Sequence, residues 1–377
     1  MCFGHRAKGI LIELSEYFCM KQVAIIGVTG AVGQEFVLAL NNHPWFEVKQ
    51  IAASERSAGK KFIDAIRDPS SGILKWHIKE EIPEYVKNMV VESVDDIKPE
   101  NLDLIFTSIE SEAAREIETR FAKDVPIIST SSAYRYEPDV PILIPGINDD
   151  HVGLLDIQRK NRGWKGFVAP LPNCTTTGLA ITMKPLLDSF GAQKIIMTSM
   201  QSMSGAGRSP GVSALDITDN IIPYIPKEED KVRIETAKIL GKLVNGKIDP
   251  ANLKVSCTCT RVPVIDGHTE SVFVETAKHA DPESVKKAML EFSKNVSVTG
   301  LPSAPKSYLV VHEDPTRPQP RLDREVNGGM STVVGRLRED TVFENGIKYV
   351  LFSHNEKMGS AKGAVLLAEM LYKKSLI

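Results

Sequence analysis

The sequence has few cysteines, almost no net charge and no internal repeat. Five cysteines in 377 residues, an odd number scattered along the chain, do not form a disulfide framework and fit a reducing cytoplasm. With 46 basic and 48 acidic residues the formal net charge is -2, which gives no bulk argument for nucleic acid or an anionic membrane as partner. Any basic residue that matters therefore acts locally. Cys257-Thr258-Cys259 looks like half of a zinc site, but no second Cys or His pair stands at the required spacing, so it reads as strand packing and no metal is expected. Residues 1–19 carry Arg6, Lys8 and a short apolar stretch broken by Glu13 and Glu16, a poor signal peptide and a worse membrane span. They read as an appendage before a natural start at Met20. No low-complexity tract or heptad array appears either. The rest is an ordinary globular composition, 42% hydrophobic and 25% charged, in a chain long enough for two domains.

Within that composition one stretch stands out, Ala169-Pro170-Leu171-Pro172-Asn173-Cys174-Thr175-Thr176-Thr177-Gly178. A proline-rich loop delivers one cysteine ahead of Leu179, Ile181, Met183, Leu186 and Leu187, spaced as on a helix, so Cys174 should stand at a helix N-terminus. Unpaired backbone N–H groups there favour a thiolate and can hold an oxyanion. Cys174 is thus a candidate nucleophile, and the plain alternative is a small buried apolar residue.

Upstream, Val23-Ala24-Ile25-Ile26 is a continuous apolar run, as in a strand buried on both faces, and it enters Gly27-Val28-Thr29-Gly30-Ala31-Val32-Gly33 before a helical pattern. Glycines between strand and helix let backbone N–H groups approach a pyrophosphate, which makes Gly27, Thr29, Gly30, Ala31, Val32 and Gly33 candidate cofactor contacts. The next strand, Val48 to Ala53, ends in Ser54-Glu55-Arg56-Ser57. Two hydroxyls and an arginine suit the 2′-phosphate of NADP, with Glu55 turned away. Strands follow at 102–108 and 125–132, with a helix through Arg115 to Phe121 between them, so residues 20 to 150 read as a Rossmann-like doubly wound sheet. Arg135 follows the last strand, where such sheets bind ligands, or is a solvated arginine. Residues 151–166 read as a polar linker. Beyond Cys174, Ile195 to Gln201 reads as a strand, Ser204 to Gly211 as a flexible loop, and Lys227 to Leu243 as an amphipathic helix with Glu235 and Lys238 on one face. Those two could also be a plain surface ion pair. His268, after Gly267 at a turn between strands, is placed to reach a cleft, and the final helix from Ala364 to Tyr372 is long enough to pack back on the first sheet.

Taken together these motifs resemble aspartate-β-semialdehyde dehydrogenase, specifically the archaeal and fungal branch, over residues 21 to 374. The resemblance rests on the Gly27 to Gly33 loop, Ala53 to Lys60, Pro172-Asn173-Cys174-Thr175, Gln201 with Ser204-Gly205-Ala206-Gly207, Glu235-Thr236-Ala237-Lys238-Ile239-Leu240, and Arg261-Val262-Pro263-Val264 through Gly267-His268. It implies NADPH-dependent reduction of L-4-aspartyl phosphate to L-aspartate 4-semialdehyde, on the route to threonine, methionine and lysine. The implied roles are Cys174 as nucleophile, His268 as its base and Gln201 orienting substrate. Arg261 would hold the α-carboxylate and Glu235 the ammonium, with Arg135, Lys238 and Asn173 on the phosphate. Ser204, Gly205 and Asn355 would join the cofactor side. The implied architecture is α/β: a NADP-binding domain at 20–155 completed by 356–377, and an α+β catalytic and dimerisation domain at 156–355, in a cytoplasmic homodimer or homotetramer. Gly146, and Glu356-Lys357-Met358-Gly359-Ser360-Ala361, depart from the family pattern. An acyl-CoA reductase of the same fold, such as malonyl-CoA reductase, needs no phosphate clamp; a silent NADP-binding sensor needs no intact Cys174, Gln201, Arg261 and His268.

Overall fold

The computed structural model describes residues 20–207 and 211–377. The expected appendage at 1–19, and residues 208–210 of the glycine-rich loop, lie outside them. The first sheet takes β1 (Lys21–Ile26), β2 (Phe46–Ala53), β3 (Val91–Ser93), β4 (Leu104–Thr107), β5 (Ile127–Ser129) and β6 (Val168–Pro170) in the order β3-β2-β1-β4-β5-β6, every pair parallel. Val23 to Ile26 and Leu104 to Phe106 are fully buried, the continuous apolar run expected when both faces of a parallel sheet are covered. Helix α1 (Ala31–Ala39) follows β1, and α2 (Ser111–Ala122) follows β4. The strand order reverses between β1 and β4, so the crevice of this Rossmann-like sheet opens beside the Gly27 to Gly33 loop.

Residues 151–166 are not a linker. They hold α3 (Gly153–Arg162), whose buried face is only Leu154, Leu155 and Gln158 and so leaves a weak apolar signal. Gln158 secures it: its amide exchanges hydrogen bonds of 3.0 and 2.7 Å with the backbone of Val168 in β6. Because β6 belongs to the first sheet, we propose that the two units divide after Pro170, later than residue 155.

The second sheet is mixed, with β7 (Ala192–Gln201), β10 (Lys254–Arg261), β11 (His268–Thr276), β12 (Leu309–Val311), β13 (Thr332–Asp340) and β14 (Gly346–Ser353) in the order β10-β7-β11-β14-β13-β12; β8 (Lys242–Val244) and β9 (Lys247–Asp249) form a separate hairpin. Helices α4 (Cys174–Phe190) and α6 (Pro282–Asn295) pack on this unit. Ile195 and Met197 of β7 are buried while Ile196 between them is 46% exposed, so the opposite face of the sheet stays open. Helix α5 (Glu228–Ile239) stops short of Leu243 because the chain turns at Gly241 into β8. The last helix, α7 (Ala361–Lys373), returns to the first unit and packs on α1 and β5. Glu369 on it meets His43 at 2.8 Å in a fully buried contact and also accepts the backbone N–H of Ser303. Among the described residues no helix is long and apolar enough to cross a membrane.

Candidate active site

Cys174 is the first residue of α4, and the side chain of Asn173 caps that helix by accepting from the N–H groups of Thr175 and Thr176. Its Sγ lies 3.1 Å from Nε2 of His268, the first residue of β11, so the two candidates meet. Burial pushes the thiol up to about 12, and the nearby Glu228 carboxylate adds to it, while Arg261, Arg135 and Lys231 pull it back. Burial and then Arg261 push His268 down to about 3. The resting pair is therefore neutral: desolvation outweighs the helix terminus that favours a thiolate. The backbone N–H of Ser202 donates to Nδ1 of His268 at 3.2 Å, which puts the ring's own hydrogen on Nε2, facing the sulfur. Acting as a base requires the other tautomer, with Nδ1–H turned to the Ser202 hydroxyl 3.4 Å away.

The charged candidates divide. Arg135 is 5% exposed and lines the cavity in front of Cys174; it donates to Glu235 at 3.2 Å and to the Thr130 carbonyl, and its Nε is left without a partner. Glu235 is not open to that cavity. It is fully buried, and it accepts from Arg135, the Tyr136 hydroxyl and the backbone N–H of Asn173. Lys238 is also engaged elsewhere, donating to the carbonyls of Arg135 and Glu137 at 2.7 and 2.9 Å, and burial pulls it down to about 8. The polar pair beside Cys174 is instead Glu228 and Lys231, one turn pair earlier on α5 and 3.2 Å apart. Lys231 lines the cavity with Cys174 and Arg135. Burial would raise Glu228, but Lys231 and the Asn173 amide, which donates to it at 2.7 Å, outweigh that and hold it ionised. The Glu-x-x-Lys spacing that marks Glu235 and Lys238 occurs at Glu228 and Lys231 as well, and was the available signal.

Arg261 is 6% exposed and donates from Nη1 to the Ser202 carbonyl. The backbone passes over it at Gly205, where a Cβ would lie 2.8 Å from Arg261 Nη1 and 3.0 Å from His268 Cε1, so a side chain there would displace the guanidinium and crowd the imidazole. Gln201 pairs with Arg261 across β7 and β10, and its amide donates to Ser199 beneath the site rather than into the cavity. Asn355 lies at the cavity wall, but its Oδ1 accepts from the N–H of Gly267 and its Nδ2 donates to Ser204, which ties the His268 turn to the glycine-rich loop.

A long groove runs from this cavity over the first sheet, lined by Thr29, Gly30, Ala31, Val32, Ser54, Arg56 and Ser57. It fits a dinucleotide. A Cβ on Gly27 would meet the Ser108 carbonyl at 2.4 Å and one on Gly33 the Gly27 carbonyl at 2.1 Å, so these glycines form a tight strand-to-helix turn with backbone at the groove. Lys60, Arg67 and Lys75 add positive charge around Arg56, while Glu55 accepts a hydrogen bond from Ser93 and stays off the lining. The departure at Gly146 is structural, for its φ is +82° and a Cβ would strike Val296.

Two family models match the chain: semialdehyde dehydrogenase, NAD binding domain, over residues 22–154, and semialdehyde dehydrogenase, dimerisation domain, over 183–356. The chain is 44% identical over 356 residues to the aspartate-semialdehyde dehydrogenase of Archaeoglobus fulgidus, covering 94% of this chain and 99% of that protein. It is 40% identical over 377 residues to that of Candida albicans, covering 95% and 100%. Among solved structures, aspartate semialdehyde dehydrogenase with NADP from Candida albicans superposes with a TM-score of 0.84 at 37% identity, over 95% of this chain and 100% of that one. Aspartate semialdehyde dehydrogenase II complexed with ASA from Vibrio cholerae follows at 0.74 and 27%, over 94% and 99%.

Proposed function

Since the chain belongs to the aspartate-semialdehyde dehydrogenase family, we propose the following division of labour for an enzyme that reduces L-4-aspartyl phosphate to L-aspartate 4-semialdehyde with NADPH. The observation that carries it is Cys174 Sγ at 3.1 Å from His268 Nε2, beside a cavity that bears Arg135 and Lys231 and continues into the dinucleotide groove. Arg261 clamps the substrate α-carboxylate, for which a guanidinium fork is suited. Glu228, held ionised, takes the ammonium in place of Glu235. Arg135 and Lys231, both lining the cavity, take the phosphate in place of Lys238. Asn173 serves mainly as the helix cap that sets Cys174, and Gln201 steadies the end of β7.

The proton of the Cys174 thiol passes to Nε2 of His268, 3.1 Å away, in the tautomer that turns Nδ1–H to the Ser202 hydroxyl. The sulfur attacks the acyl carbon, the C–O bond to phosphate breaks, and a thioester on Cys174 remains. Held along the groove of Thr29 to Val32, Ser54, Arg56 and Ser57, NADPH would supply the hydride equivalent that reduces it. His268 Nε2–H donates to the oxyanion so formed, and the thiohemiacetal collapses to free the aldehyde and the sulfur. The cytoplasm and a homodimer complete the reading. The matched dimerisation domain and the open face of the second sheet, where Ile196 is 46% exposed, support the dimer.

The test is phosphate-dependent reduction of NADP with aspartate semialdehyde. Turnover is expected in the natural protein and loss of at least a thousandfold in Cys174→Ala; turnover with malonyl-CoA but not with the semialdehyde would overturn the assignment.

A further inference from the structure

The reaction described above leaves Glu356 unused. It is 4% exposed, it lines the cavity in front of Cys174, and its Oε1 is buried without a hydrogen-bond partner. Its own backbone N–H donates to Nδ1 of His354, which fixes the loop. The same cavity wall carries Ala31 and Val32 from the start of α1 at one side and Cys174, Asn355 and Gly359 at the other. A group that reaches from the Gly27 to Gly33 turn to a carbon bound on Cys174 must cross this wall, and the reactive ring of a nicotinamide cofactor is such a group. A buried carboxyl oxygen left without a partner is unfavourable unless a ligand or a movement of the side chain completes it.

We propose that Glu356 binds the carboxamide of the nicotinamide, and that its protonation sets how the protein discriminates between the reduced and oxidised cofactor. The inference rests on the NADP-dependent reading above. A protonated carboxyl offers one donor and one acceptor, complementary to the C=O and NH2 of a carboxamide. Burial raises Glu356 to about 8, and Asp266 before β11 and Glu35 on α1 raise it further, against Lys357 on its own loop. Lys357 is partly spent on Glu325, at 2.7 Å. Across the cavity stand Glu110, Arg135, Lys231 and Cys174. At neutral pH the group is therefore a hydrogen-bond donor with no charge. Once ionised it loses the donor and places a negative charge beside the ring, which favours the cationic oxidised form over the neutral reduced one.

Isothermal titration of NADPH and of NADP to the full-length protein, from pH 6.5 to 9.5, tests this in the natural chain and in Glu356→Gln, which keeps a donor and an acceptor but cannot ionise. In the natural chain the ratio Kd(NADPH)/Kd(NADP) is expected to rise about tenfold across that range, the effect of one charge at close range. In Glu356→Gln it should stay flat. An equal rise in both proteins, or none in the natural chain, overturns the proposal. Failure of both proteins to bind either cofactor would instead strike the NADP-dependent reading itself.

Discussion

At the scale of single residues, α5 repeats one pattern. Glu228 and Lys231, then Glu235 and Lys238, have the same spacing and lie seven residues apart, so they share a helical face and periodicity cannot rank them. Contacts decide. Glu235 is consumed by Arg135, Tyr136 and the Asn173 backbone, and Lys238 by two carbonyls, whereas Lys231 reaches the cavity. Lys231→Ala should raise the KM for phosphate in the oxidative assay tenfold or more, in line with about 1.5–3 kcal/mol for a charged hydrogen bond. Lys238→Ala should leave that KM within about threefold while lowering the melting temperature, because two partly buried carbonyls lose their donor. The reverse pattern in initial-rate kinetics and thermal unfolding would restore Lys238 to the phosphate site.

At the scale of elements, the turn from Pro172 into α4 was legible in the sequence because its signals are local: prolines, a capping asparagine, then an apolar helical run. What the cap holds was not. Asn173 satisfies Thr175 and Thr176 with its oxygen and Glu228 on α5 with its nitrogen, so one amide links the helix that carries the nucleophile to the helix that carries the acid. Asn173→Ala should lower unfolding stability by about 1–2 kcal/mol, the usual cost of a lost cap. Asn173→Ser should recover most of that loss in denaturant titration yet keep a raised KM for the semialdehyde, since serine caps the helix but does not reach Glu228. Equal stability of all three proteins would deny the cap its role. Helix α3 shows the opposite limit: with two buried leucines its pattern is too thin to read, and the exchange between Gln158 and Val168 that fixes it joins the helix to a strand ten residues on, outside any helical period.

At the scale of the whole molecule, the interior holds several carboxyls that burial keeps protonated near neutrality. Desolvation raises Glu35 and Glu118 to about 7 and Glu356 to about 8, from 4.5. Between those limits the unfolded chain has released protons that the native chain retains, so stability falls as pH rises. Burial pushes His268 and His354 the other way, below 6.5, which makes their contribution grow with pH until about 6.5 and then level off. The melting temperature should therefore fall from pH 6.5 to 8, and fall less in Glu118→Gln, where the hydroxyls of Thr107 and Ser129 keep a partner. A flat profile in calorimetry, or an identical slope in the variant, would contradict this. The sequence by itself determined the parallel sheet, the glycine turn, the cysteine at its helix and the returning C-terminal helix, because apolar period, glycine and proline act within a few residues. The tertiary structure alone decided that Lys231 lines the cavity with Cys174 while Lys238 is spent on two carbonyls, that the Cys174 and His268 pair rests neutral, and that Glu356 lines that cavity with one carboxyl oxygen buried and unpartnered. Those depend on desolvation and on contacts between residues 50 or more positions apart, and no local pattern encodes either.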